Sequence, residues 1–404
     1  MELLNPHSTL PKKEAGNIII RPRIIPFISY PYEWCFGEFK DAALATLTIE
    51  TIALLYGYTL KDASAYNIQF INGKPLLIDK LSFEPYKEGS LWIAYRQFCI
   101  QFLAPLLLMS YLDPDMNKRL LFYFDGVPLS LVSKLLPKHT YLNFSHLMHI
   151  HFQALMERKS SGQTADTKTM SKSNLFALLH DLQNTIENLK FPVKKSYWSE
   201  YEKFHIYNNH ALSEKQRIVG KYLAMTKAKT ALDIGANTGM FTKLCTDRKI
   251  RTVSIDNDHV SIEQMYETNK KNNDQFCLPL VIDITNPSPS IGWANGERMS
   301  FITRSSFDVV LALAITHHLA IEHNLPLEYI MKFMSHLGTY GIIEFVPKTD
   351  PEVRTMLANR EDIFHRYSQQ EFEKACGKYY SIIAKQPVDK TGRVIYFLKR
   401  KKYV

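Results

Sequence analysis

Three carboxylates carry the clearest chemistry in the chain. Asp233 opens the turn Asp233-Ile234-Gly235-Ala236-Asn237-Thr238-Gly239, Asp256 closes the run Thr252–Asp256, and Asp283 closes Leu278–Asp283. Each follows a short apolar run that reads as a buried strand, and open α/β sheets bind their ligands at the carboxyl ends of strands. A D-x-G-x-N-x-G turn swings the chain sharply from strand to helix, and its glycines let a ligand approach the backbone. A carboxylate ending the second strand can take both hydroxyls of a ribose. One ending the third can accept from the exocyclic amine of adenine. The set therefore describes a nucleoside-binding crevice. Its turn lacks the third glycine of G-x-G-x-x-G, which disfavours a nicotinamide dinucleotide. The bland alternative is a Rossmann-like domain whose acids are unrelated to any ligand.

In this order and spacing the acids resemble the class I S-adenosylmethionine-dependent methyltransferases. The resemblance implies that Asp233, Gly235, Ala236, Asn237 and Gly239 hold the methionine end of the donor. It implies that Asp256 holds the ribose, and that Asp283 with Ile284 holds the adenine. Beyond the fourth strand comes Ala314-Ile315-Thr316-His317-His318-Leu319, the loop that faces the substrate in that family. Methyl transfer is an in-line displacement, so alignment is the enzyme's main task. A base helps when the acceptor is a hydroxyl or an acidic carbon, and His317 or His318 titrates in the right range. Either imidazole could instead pack or cap a helix. Glu344, ending the fifth strand, is a second candidate for substrate contact, or a carboxylate satisfied by a helix N-terminus. The Asn/Asp-Pro-Pro-aromatic tetrapeptide of amide and exocyclic-amine methylation is missing, which favours O- or C-methylation. Trp293 and Arg298 in the insertion Thr285–Arg304, and Arg360 in Pro347–Tyr367, could reach the acceptor or simply hold long loops in place.

The elements that position these residues follow from texture. Past Glu200, short apolar runs at 230–235, 252–256, 278–283, 307–314 and 339–345 alternate with helix-length segments, which predicts βαβ units and a parallel sheet. Arg393–Leu398 predicts a late strand at one edge. Before that point a polar stretch, Arg158 to Ser173, reads as a linker. Leu175, Leu178, Leu179, Leu182, Ile186 and Leu189 then predict a helix capped by Ser171 or Ser173. Phe98–Leu112 is apolar but short and holds Gln101 and Pro105, so a buried helix pair is expected rather than a membrane span. The 404 residues suit two domains, expected at 1–200 and 201–404. The fold class expected is α/β: a C-terminal Rossmann-like sheet with helices on both faces, plus a mainly helical α+β N-terminal domain. Net charge is +9, divided +3 and +6 between those halves, without a basic stripe that would mark a nucleic-acid groove. Five scattered cysteines show no metal or redox spacing, so no metal is expected and each reads as a small buried residue. Met1–Gly16 has no apolar stretch behind Lys12 and Lys13, and a cytoplasmic location is the expectation.

The N-terminal half holds a weaker pattern. Asp62, Asn67 and Asp79 echo the catalytic and metal-binding loops of protein-kinase-like folds, with Asp62 as base and Asn67 and Asp79 on magnesium. No glycine-rich loop or paired lysine precedes them, and Asp79 runs into Lys80-Leu81 rather than Phe-Gly. The readings are a kinase-like remnant or a hairpin with an Asx-type turn near 66–80. Ser29–Trp34, Leu60–Asn67, Tyr95–Phe98 and Ile343–Lys348 resemble a bacterial methyltransferase family with a long N-terminal extension, over roughly residues 17–400. The resemblance implies S-adenosyl-L-methionine as cofactor. It leaves the acceptor open: a small molecule, glycan or protein is favoured, and RNA is possible. The alternatives are a regulatory protein that binds S-adenosylmethionine without turnover, and a kinase-like ATP-binding protein. The aromatic segment Tyr30–Phe39 is either core or a cover for the site. Oligomeric state is not legible.

Overall fold

The computed structural model describes residues 7–9, 20–159, 169–193, 195–196, 209–358 and 361–402. Its chain divides into two compact units, Met1–Lys194 and Lys195–Val404. Most of the linker stretch, the 197–208 segment and Arg360 lie outside the described residues.

The first unit is built on helix α1 (Phe36–Leu55). The aromatic segment before it is core: Trp34 is fully buried, donates from Nε1 to Ser29 Oγ at 2.9 Å and meets Phe70 edge-on at 5.3 Å. Short strands β1 (His7–Thr9) and β2 (Ile20–Pro22) pair antiparallel. So do β3 (Tyr58–Leu60) with β6 (Phe83–Pro85), and β4 (Ile68–Ile71) with β5 (Lys74–Leu77). The stretch expected as a helix pair is one continuous run instead. Tyr95–Phe98 passes through a π-helical turn, Cys99–Leu103, into Ala104–Tyr111. Pro105 lacks an N–H and stands just after the π turn, where a wider turn spares the helix a break. A second π turn, Leu147–Phe152, carries buried His149 and His151. Helix α2 (Lys172–Asn188) is capped by Ser171, whose Oγ accepts from Asn174 N at 3.3 Å.

The second unit holds a seven-stranded sheet, the Rossmann-like sheet expected. Its strands are β7 (Thr230–Ile234), β8 (Arg251–Asp256), β9 (Cys277–Val281), β10 (Phe307–Ala312), β11 (Gly338–Phe345), β12 (Tyr380–Pro387) and β13 (Val394–Arg400). Their order is β12-β13-β11-β10-β7-β8-β9. Five strands run parallel, but β13 is antiparallel to both β11 and β12. The late strand is therefore not the edge: it is wedged between β11 and a strand that the sequence reading missed. β12 is largely exposed, with Lys385, Gln386 and Pro387 at its end, so it lacks the continuous apolar run of an interior strand.

Both faces of the sheet are covered. Helix α3 (Asn209–Thr226) lays Ile218, Val219, Tyr222 and Leu223 against Val309, Leu311, Ile342, Ile395 and Phe397. Alternation sends the neighbours of those strand residues to the other side. There Phe345 meets Phe372 of helix α8 (Gln369–Tyr379) at 5.2 Å. Further helices connect the strands, among them α4 (Met240–Thr246), α5 (His259–Asn272), α6 (Leu327–Leu337) and α7 (Pro351–Leu357). All five cysteines are free and buried.

Candidate functional site

The parallel register brings three strand ends together. Asp233 pairs in register with Ser254, and Asp256 with Val281, so β7, β8 and β9 stop side by side. Gly235 then turns with φ +68° and Gly239 with φ +93°, while Asn237 takes φ +50°, a left-handed value that asparagine tolerates. Gly235 N and Ala236 N donate to Ile255 O at 2.9 and 3.1 Å, which pulls the turn across β8. A Cβ on Gly239 would stand 3.1 Å from Met265, so this glycine serves helix packing.

Above these ends lies a cavity of about 250 Å³. Of the residues singled out in sequence, Asp233, Gly235, Ala236, Asn237, Asp256, Asp283, Ile284 and His318 line it. Gly239, His317 and Glu344 do not. Trp293 and Arg298 are outside the lining too, and Trp293 is 84% exposed.

The acids differ in how much bonding capacity they retain. Asp233 is buried and accepts from Thr242 Oγ1 at 2.7 Å; burial pushes its carboxyl up to about 7. Asp256 accepts from Asn237 N at 2.9 Å and Asp258 N at 3.0 Å on its two oxygens, the Asn257 amide also favours its charged form, and burial raises it to about 6. A carboxylate has about four lone-pair sites, so bonding capacity remains. Asp283 Oδ1 accepts from Thr285 N and Oγ1 at 2.8 and 2.6 Å, while Oδ2 has no partner among the described residues. That open oxygen and the spare lone pairs of Asp256 fit an adenosine: an amine on one acid, ribose hydroxyls on the other.

The two histidines part company. His318 is 12% exposed at the cavity wall, and its Nδ1 lies 3.0 Å from Glu322 Oε2. Burial lowers its pKa, with Glu322 acting the other way. His317 is fully buried beneath it, ring centroids 4.3 Å apart, and its Nε2 faces Glu352 Oε2 at 3.6 Å. Burial drives its pKa well down as well. Behind it Arg393 grips Asp350 with two bonds of 2.7 and 3.0 Å. A π-helical turn, His318–Glu322, begins at the second histidine.

Glu344 is a hub behind the wall. Its Oε2 accepts from Lys215 Nζ and from Ala314 N, both at 2.7 Å, and its carbonyl accepts from Thr316 Oγ1 at 2.8 Å. Ala314 is held at φ +53°, a strained conformation for a residue with a side chain. Lys215 itself lines the cavity and was missed in sequence. A signal was there: with Ala211, Ile218 and Tyr222 it falls on the apolar stripe of α3, where a lysine is out of place.

In the first unit, Asp62 Oδ1 accepts from Ser64 N at 3.0 Å and Gln97 Nε2 at 2.8 Å. Asp79 accepts from Leu81 N and Ser82 Oγ, each at 2.8 Å, and Asn67 Nδ2 donates to Ser82 Oγ at 3.4 Å. Among the described residues no group of three or more His, Cys, Asp or Glu is placed to hold a metal ion, and no helix is long and apolar enough to cross a membrane.

No family model matches the sequence. The nodulation protein NoeA of Rhizobium meliloti (strain 1021) is 36% identical over 390 residues, which are 95% of this chain and 82% of that protein. Among solved structures, WbdD aligns at 16% identity and a TM-score of 0.34 over 50% of this chain and 42% of its own, so this chain spans less than half of it. Magnesium protoporphyrin IX methyltransferase (ChlM) from Synechocystis PCC 6803 with bound SAH aligns at 14% identity and a TM-score of 0.36, over 49% of this chain and 88% of that one. Likenesses of that size decide nothing about chemistry.

Proposed function

The chain belongs to the family of the nodulation protein NoeA, and we propose that it transfers a methyl group from S-adenosylmethionine to an oxygen acceptor. One observation carries the reading: Asp233, Asp256 and Asp283 converge from three adjacent strand ends on a single cavity, with Asp283 Oδ2 and the outer lone pairs of Asp256 left for donors. When bound, the donor supplies an electrophilic methyl on a sulfonium.

This chain's residues do the rest. Asp256 would take the ribose hydroxyls, Asp283 the adenine amine, and Asp233 the ammonium. His318 is neutral through burial, and Glu322 at its Nδ1 favours the tautomer whose Nε2 is basic. It can therefore accept the proton of an acceptor hydroxyl during displacement, whereas His317 is a support for its ring. Glu344 acts through Ala314 and Thr316, holding the loop that presents His318. We place the protein in the cytoplasm and its acceptor among hydroxyl-bearing small molecules, glycans or proteins.

Calorimetric titration with S-adenosylmethionine tests the donor, and labelled donor incubated with cell extract tests the acceptor. Label recovered as a methyl ether or ester supports the reading. Label recovered only as methylamine overturns the oxygen assignment while leaving the donor intact.

A further inference from the structure

Lys215 is a costly residue where it stands. Its side chain is 3% exposed, it is carried by the core-facing stripe of α3, and its ammonium lies 4.9 Å from the centroid of the Phe241 ring. Its ion pair with Glu344 is fully buried. Glu344 Oε2 divides itself between Lys215 Nζ and Ala314 N, and Oε1 is buried with no hydrogen-bond partner among the described residues. Buried pairs with unsatisfied atoms contribute little stability, and an apolar residue of similar volume would seal the wall as well or better. The charge calls for an explanation in the ligand.

Charge in the cavity supplies one. Among the described lining residues Lys215 is the sole lysine or arginine, against Asp233, Asp256, Asp283 and Glu322. Acids suit hydroxyls, an amine and an ammonium. They repel a carboxylate, and an amino-acid end carries one beside its ammonium. Lys215 and Asp233 both line this cavity, so it offers a cation and an anion to the two charges of an amino-acid end. Leu212, Phe241 and Leu313 line the same cavity, with the Phe241 ring against the Lys215 ammonium.

Resting on the donor reading above, we propose that Lys215 is the specificity residue for the α-carboxylate of the donor, pre-positioned by Glu344. Charge-assisted hydrogen bonds in a site of this kind correspond to about 10- to 100-fold in affinity.

The test uses the full chain and two probes, S-adenosylhomocysteine and its decarboxylated analogue S-adenosyl-3-thiopropylamine, titrated calorimetrically into wild type and Lys215→Met. Wild type should prefer S-adenosylhomocysteine, and Lys215→Met should lose about 10- to 100-fold for it while binding the decarboxylated analogue as before. Equal losses for both probes, or none for either, overturn the Lys215 assignment and leave the donor reading standing. Wild type that binds neither probe overturns the donor reading, and the assignment with it. Should Lys215→Met fail to fold because Glu344 is left unpaired, Lys215→Met/Glu344→Gln removes both charges together and is held to the same outcomes. Wild type that binds the two probes equally overturns the proposal without any variant.

Discussion

Two sets of acids lie in the two units, and they are used differently. In the loop of the first unit, Asp79 caps its own turn with both oxygens, and Asp62 binds the amide two residues on. In the second unit, Asp233, Asp256 and Asp283 come from three strands and share one cavity. Asp79, bonded within its own turn, is explained by local structure, and Asp62 adds one bond from Gln97 to its local one. Acids gathered from distant positions around a cavity, with bonding capacity left over, are not explained that way. Burial acts alike on both units, lowering imidazoles and raising carboxyls. The first holds imidazoles pushed toward neutrality, His146, His149 and His151. The second holds carboxyls pushed up, Asp233 to about 7 and Asp256 to about 6. Glu50 in the first is raised as well, and His317 and His318 in the second are lowered.

The widest separation should come from truncating one acid in each set. Asp256→Ala is expected to weaken S-adenosylhomocysteine about 100-fold or more by calorimetry, since charged hydrogen bonds are each worth about 1.5–3 kcal/mol. Asp79→Ala should leave that affinity unchanged. Wild-type affinity in Asp256→Ala would remove the site.

Acid should strike the first unit next. His146 is lowered from 6.5 to about 4, chiefly by burial and then by neighbouring His151, His149 and His139, with Asp181 opposing. The unfolded chain therefore gains a proton that the folded one refuses, and stability falls as pH drops from 6.5 to about 4. The loss is roughly 3 kcal/mol at most. Glu50, raised to about 7 by burial, runs the opposite way and costs stability as pH rises from 4.5 to 7. Hydrogen exchange across Met1–Lys194 at pH 6.5 and 4.5 reads the net effect. His146→Phe should flatten it, and an unaltered pH dependence in that variant would assign the effect elsewhere.

Donor binding should weaken toward acid as well, in a higher pH window. Asp233 must ionise to hold an ammonium, and its folded value of about 7 lies above the ordinary one. Binding then releases a proton, and affinity for S-adenosylhomocysteine should rise about tenfold from pH 6 to 8. Calorimetry in buffers of different ionisation enthalpy counts that proton, and a flat profile would show Asp233 already ionised. The smallest effect expected is the stability cost of Asp79→Ala, about 1 kcal/mol for a lost cap, measured by urea unfolding.

How far the sequence could lead depended on the range of the interaction. Asp233, Asp256 and Asp283 were legible because each ends an apolar run, and strand ends meet at the crevice whatever the loops do. The position of β13 was not, because pairing between β11 and β12 is a long-range event that Arg393–Leu398 does not encode locally. Lys215 needed the tertiary packing of α3 before its burial meant anything, although its place on the apolar stripe was a hint. Adjacent His317 and His318 looked alike in sequence. One is inside and one lines the cavity, at the start of the helix that ends in Glu322.

That helix is a π turn, one residue richer than the α-helix that would otherwise follow β10. Removing a single residue from His318–Glu322 should restore regular winding within that turn and change which of its residues face the cavity. The contact of Glu322 with His318, now made across four residues, would have to be remade across three. The helix would gain regularity and the cavity would lose its dyad, so a one-residue deletion here separates conformational economy from chemistry more cleanly than any substitution.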